Sequence, residues 1–170
     1  MRAKGGRGTR FSGRGLKTRL KTARGRKPSS ARWLKRQLDD PYVAEAKRRG
    51  YPSRAAFKLI ELDDRFRFLK PGMRVVDLGA APGGWTRVAA ERIKGGEGRV
   101  VALDSREMAP VAGAEILCLD IDDAAAETIK AALGGPADAV LSDMSPPATG
   151  HAAADHLRIM GLCETALAFA

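Results

Sequence analysis

A chain of 170 residues with 44% apolar side chains is long enough for one globular domain and a tail. Lys and Arg outnumber Asp and Glu by 30 to 20, and the surplus sits at one end: residues 1–36 carry a net +14, residues 37–70 a net +2 and residues 71–170 a net −6. Two cysteines 45 positions apart exclude a disulfide scaffold, and no apolar run is long enough to span a bilayer or to form the core of a secretory signal, so a reducing, cytoplasmic compartment and no membrane are expected.

Residues 1–30 are mostly Gly, Lys, Arg, Ser and Thr, too poor in large apolar side chains to offset the entropy of ordering. They read as a disordered basic arm. Cations at this density neutralise phosphates in any sequence, which favours contact with nucleic acid over a merely solubilising tail. A folded domain is expected over residues 31–170, with order beginning near Trp33 and a first helical region from about Ala31 to Arg49, broken at Gly50-Tyr51-Pro52. Ser53 can cap the next helix, in which Ala55, Leu59, Leu62 and Phe66 follow the spacing of one apolar face. Arg65-Phe66-Arg67-Phe68 reads as the end of that helix with two core anchors rather than as a basic edge, and Lys70-Pro71-Gly72 closes it.

From there strands and helices alternate. Met73–Leu78 is a first strand, Gly79–Gly84 a loop and Trp85–Ile93 a helix stopped by Gly95-Gly96. Arg99–Leu103 and Glu115–Leu119 are further strands, with Cys118 read as a buried structural thiol in its apolar run. Asp122 or Asp123 caps a helix through Leu133, Ala137–Ser142 is a fourth strand, and a last helix covers about Ala152–Ala170. This alternation means βαβ units and a parallel sheet, an α/β fold. Each strand runs out at an aspartate: Asp77, Asp104, Asp120 and Asp143. Ligands of open α/β sheets bind beyond the carboxyl ends of the strands, so the four acids should converge on one cleft. His151 and His156, five apart, do not share a helical face and make a poor metal pair.

The informative segment is Asp77-Leu78-Gly79-Ala80-Ala81-Pro82-Gly83-Gly84-Trp85. A glycine-rich turn after a first strand lets a ligand approach the backbone, but Ala80-Ala81-Pro82 breaks the G-x-G-x-x-G of dinucleotide enzymes and disfavours a nicotinamide oxidoreductase. Asp77 suits a cationic group, Asp104 suits the two hydroxyls of a ribose, and Asp120 can accept from an adenine amino group. The nine residues resemble the cofactor motif of the FtsJ/RlmE-type 2'-O-ribose methyltransferases. Ser30-Ala31-Arg32-Trp33-Leu34, Tyr51–Leu59 and Leu141-Ser142-Asp143-Met144-Ser145-Pro146 are similar to flanking segments of that family, in the family's order.

The resemblance is strongest to the family's bacterial ribosomal branch, whose members carry a short basic N-terminal extension and methylate a uridine ribose of 23S rRNA in the large ribosomal subunit. It implies a Rossmann-like methyltransferase fold and S-adenosyl-L-methionine as cofactor; a monomer is expected. Gly79 lies in the cofactor motif, and Gly83, Trp85, Asp104 and Asp120 match positions that hold the cofactor, joined by Asp77 and Asp143. The family's catalytic set is Lys, Asp, Lys and Glu. Lys58 matches the first lysine and Asp143 the aspartate, whereas the second lysine and the glutamate belong to later strands. The chain is therefore expected to hold about four of the family's seven strands and to be incomplete at its C-terminus, with doubtful activity in this form. A noncatalytic RNA-binding or ribosome-assembly module, or a ribose methyltransferase acting on another RNA, stand as alternatives.

Overall fold

Paired valines build the sheet. In β1 (Arg74–Leu78) Val75 and Val76 point to opposite faces, and Val100 and Val101 of β2 (Arg99–Asp104) stand beside them in parallel register. β3 (Ala114–Cys118) pairs with the far edge of β2, and β4 (Ala139–Ser142) with the far edge of β1. The sheet is all-parallel, in the order β3-β2-β1-β4. The computed structural model describes residues 40–170, and the expectations for residues 1–39, including the basic arm and Trp33, lie outside them.

The helix α1 (Pro41–Arg49) ends on Lys47, Arg48 and Arg49, placing cations at its negative pole. One face of the sheet is covered by α2 (Ala56–Phe66) and α3 (Gly84–Arg92), where Leu59, Val75, Val88, Ile93 and Val100 form a buried cluster. The other face takes α4 (Asp123–Leu133), burying Val76, Leu78, Val101, Leu103 and Ile129, with Ala166 and Phe169 of α5 (Ala152–Phe169) against that cluster. Both faces of the central strands β1 and β2 are largely apolar because both are covered, as is usual in parallel sheets. The fold is the expected α/β architecture with four parallel strands. The Asp122 carboxylate accepts from Ala125 N at 2.8 Å and caps α4, while Gly134, at φ 67°, ends it.

Three local expectations are corrected. Ser53 does not cap α2: the helix follows Ala55 without a side-chain cap, and the Ser53 hydroxyl is buried without a partner against Gly84, where a Cβ would collide with it. The apolar face of α2 is also rotated from the expected stripe. Ala56, Phe57, Leu59 and Asp63 are buried, whereas Leu62 and Phe66 are 42% and 61% exposed. A polar anchor explains this, because Asp63 accepts from Leu69 N at 2.9 Å and pairs with Arg92 at 3.3 Å, turning its own face inward. Phe66 is thus no core anchor; the Arg65 guanidinium lies 5.0 Å over its ring. Cys118, expected buried, is exposed, since it closes the edge strand β3 where no further strand covers it among the described residues.

Candidate active site at the strand ends

The loop after β1 is fastened to β2. Gly79 N and Ala80 N both donate to Leu103 O, at 2.8 and 3.0 Å, and Ala81 N donates to Asp104 Oδ2 at 2.9 Å. Gly79 holds φ at +72°, and a Cβ there would strike Met144 Cγ, so glycine is required both by conformation and by space. Beyond this loop an open cleft of about 670 Å³ is lined by Gly79, Asp104, Asp120, Asp143 and Met144. That is the size of a small-molecule site.

Three of the four predicted acids line it, and they differ in their surroundings. Asp104 is 6% exposed. Besides Ala81 N it accepts from Arg106 N at 2.9 Å and from the Arg106 guanidinium at 3.1 and 3.4 Å. Burial alone would raise its pKa, but the Arg106 side chain and the two backbone N–H groups outweigh it and hold the carboxyl below the ordinary value. Asp143 directly follows β4 and meets Lys58, 85 positions earlier, at 2.8 Å between Nζ and Oδ1. This brings the two residues carried over from the family's catalytic set into contact at the rim of the cleft, which Asp143 lines and Lys58 does not. Asp120 lies two residues beyond β3.

Asp77 does not line the cleft. It shares a face of β1 with Val75 and points toward α3, where Thr86 Oγ1 donates to it at 2.7 Å. Burial pushes its pKa up to about 7, against the pull of the Thr86 hydrogen bond, and the nearby Asp143 and Asp104 charges add to the rise. Gly83 and Trp85 also lie outside the lining. Gly83 is turned toward Met108, Val111 and Pro52, and the Trp85 indole donates to Ala55 O at 2.8 Å while packing on the core between α2 and α3. Among the cleft residues that sequence reasoning did not name as site residues, Arg106 and Met144 bear most directly on the acids and the loop. A cation two positions after a strand-ending acid was a usable signal for the first; the second carried none beyond its place after Asp143.

The acceptor set fits a cationic nucleoside ligand: a buried, ionised carboxylate, further carboxylates around the cleft, and a glycine that leaves the backbone open to close approach.

The sequence profile described as FtsJ-like methyltransferase matches residues 51–170. A protein named ribosomal RNA large subunit methyltransferase E from Parvibaculum lavamentivorans is 58% identical over 98% of this chain and 70% of its own length. The protein of that name from Rhodospirillum rubrum is 61% identical over 92% of this chain and 61% of its own length. In a crystal structure, a ribosomal RNA methyltransferase from Plasmodium falciparum superposes with a TM-score of 0.59 at 34% identity, covering 64% of each chain. The chain thus spans about 60–70% of the length of these proteins.

Proposed function

The chain belongs to the FtsJ-like methyltransferase family, and from that premise we propose that it takes part in S-adenosylmethionine-dependent 2'-O-methylation of a uridine ribose in 23S rRNA of the large ribosomal subunit. The observation that carries the reading is the Lys58–Asp143 contact beside an acidic, nucleoside-sized cleft. The bound cofactor supplies a methyl group made electrophilic by its sulfonium. In this reading Asp104 accepts the ribose hydroxyls and Asp120 the adenine amino group. Gly79 leaves room for the ligand, Gly83 and Trp85 shape the loop and its helix from behind, and Asp77 supports the loop from beneath. Asp143 borders the cofactor and holds the Lys58 ammonium toward the cleft, where its charge can steer the target ribose and its phosphates. In the family the proton of the 2'-hydroxyl passes to a second lysine, whose basicity a neighbouring cation such as Lys58 would lower.

The protein acts on RNA in the cytoplasm as a monomer. No described helix is long and apolar enough to cross a membrane. The basic residues 1–30 add affinity for RNA without choosing the site. Deleting them should weaken RNA binding and lower the slope of log affinity against log salt; an unchanged slope would remove the arm from the interface. To test the activity, undermethylated large subunits and labelled S-adenosylmethionine are given to this chain and to a form extended through the further strands that the resemblance implies. Label recovered as 2'-O-methyluridine supports the reading. Tight RNA binding with no transfer by either form would favour the noncatalytic assembly module, and label on other RNAs alone would move the substrate.

A further inference from the structure

An ionised carboxylate has about four lone-pair positions, and at Asp104 all four are taken. Oδ1 accepts from Arg106 N and Arg106 Nε, and Oδ2 from Ala81 N and Arg106 Nη2. Two of these donors are backbone amides that fix the turn and cannot leave without unmaking it. The other two belong to one guanidinium, which also donates to Ala81 O at 3.2 Å and so lies across the start of the Gly79–Gly84 loop. Its side chain is 72% exposed while the carboxylate beneath is 6% exposed. Both residues line the cleft.

A ribose presents two adjacent hydroxyl donors, the same number as the two guanidinium N–H groups held by Asp104. Both cannot occupy the carboxylate at once. We propose that Arg106 is an intramolecular competitor of the cofactor, its guanidinium holding the Asp104 lone pairs that the vicinal ribose hydroxyls require, so that this side chain sets cofactor affinity. The inference rests on the reading of Asp104 as the ribose acceptor. Displacing Arg106 releases a guanidinium that is already mostly in water, and Asp104 keeps its two amide donors and gains two hydroxyls, but the buried carboxylate gives up its countercharge. The competition is moderate, because the incoming hydroxyls refill the vacated lone pairs without replacing the countercharge.

The test is calorimetric titration of S-adenosylhomocysteine into the 170-residue chain and its variants Arg106→Gln, Asp104→Asn and the double variant, with thermal unfolding of each. Arg106→Gln should bind about three- to tenfold more tightly, and its melting point should rise more on ligand addition than that of the wild type. In the Asp104→Asn background the Arg106→Gln gain should vanish, since a double-mutant cycle reads the shared carboxylate. Arg106→Gln binding equally or more weakly, with Asp104→Asn weakened, would overturn the competition and make Arg106 a bystander or a direct ligand contact. Unchanged affinity in Asp104→Asn would instead overturn the placement of the ribose. Arg106→Lys gives a check on folding: it keeps the charge but not the fork, and its affinity should fall between those of the wild type and Arg106→Gln.

Discussion

Asp104 and Asp143 both stand where a parallel strand runs out, yet one is buried under a full set of donors and the other, its side chain about a third exposed, meets a lysine that is itself 65% exposed. The Asp104 end of the cleft is fastened: its backbone donors come from the loop that Gly79 N and Ala80 N tie to β2. The Asp143 end is open, and its ion pair with Lys58 reaches across 85 positions of sequence to α2. The difference matches two tasks. A small ligand taken from solution is best held by rigid, preorganised groups, whereas a polymer substrate needs charged groups that remain reachable once it docks.

The largest effect should come from the open end. Lys58→Ala and Asp143→Ala should each lower methyl transfer by about 10²–10⁴-fold, the usual range for losing a positioned group around a proton transfer. Cofactor affinity should change little in Lys58→Ala. Single-turnover transfer beside equilibrium titration separates the two quantities. If Lys58→Ala lost cofactor affinity and kept its transfer rate, the two ends would have to exchange roles.

A smaller effect tests the acid beneath the cleft. Asp77 holds its proton to about pH 7 in the folded chain, well above its ordinary value of 3.8. The folded state therefore binds the proton more tightly than the unfolded one. That stabilisation is complete below about pH 4 and is lost as pH rises through 7, with a limiting slope of about 1.4 kcal/mol per pH unit. Asp77→Asn, which retains an acceptor for Thr86, should remove on the order of 2 kcal/mol of the stability difference between pH 5 and pH 8. Urea unfolding of both proteins at the two pH values measures it. The same decline in both would mean that Asp77 is ionised throughout and that the acidic cleft tolerates its charge.

The sheet was legible because strand patterning is local: valine pairs, glycine stops and an aspartate at each strand end mark four strands to within a residue or two. The meeting of Asp104, Asp120 and Asp143 followed from parallel topology alone. What was not legible depended on partners distant in sequence. The buried face of α2 is decided by Asp63, whose partners are Leu69 N and Arg92 on α3, and no helical periodicity predicts that an acid will face inward. Cys118 sits in an apolar run that suggests burial, yet among the described residues β3 is an edge strand, and edge position is a property of strand order. Arg106 was passed over because a lone exposed arginine is ordinarily a solvated one, and only the geometry shows its guanidinium on Asp104.

The smallest expected effect sharpens the contrast most. Lys58→Met keeps most of the aliphatic stem and removes the ammonium, so it isolates the worth of the Lys58–Asp143 pair to the fold. An ion pair this exposed contributes about 0–1 kcal/mol, because water screens the attraction and ordering two side chains costs entropy. Asp143 left alone is still solvated, and no buried charge is stranded. Chemical denaturation should therefore show Lys58→Met within about 0.5 kcal/mol of the wild type. Asp143→Asn has a second consequence, because the Asp143 charge is one of the causes raising the Asp77 pKa. Removing it should ease the ionisation of Asp77 and offset part of the lost ion pair at neutral pH, leaving that variant at least as stable as Lys58→Met. A loss above about 2 kcal/mol in either variant would place the pair among the supports of the fold. The inactivity expected of Lys58→Ala would then report on unfolding, and the distinction between a fastened binding end and an open reacting end would collapse. Near-wild-type stability beside a large loss of transfer is the combination that only a pair held for the substrate produces.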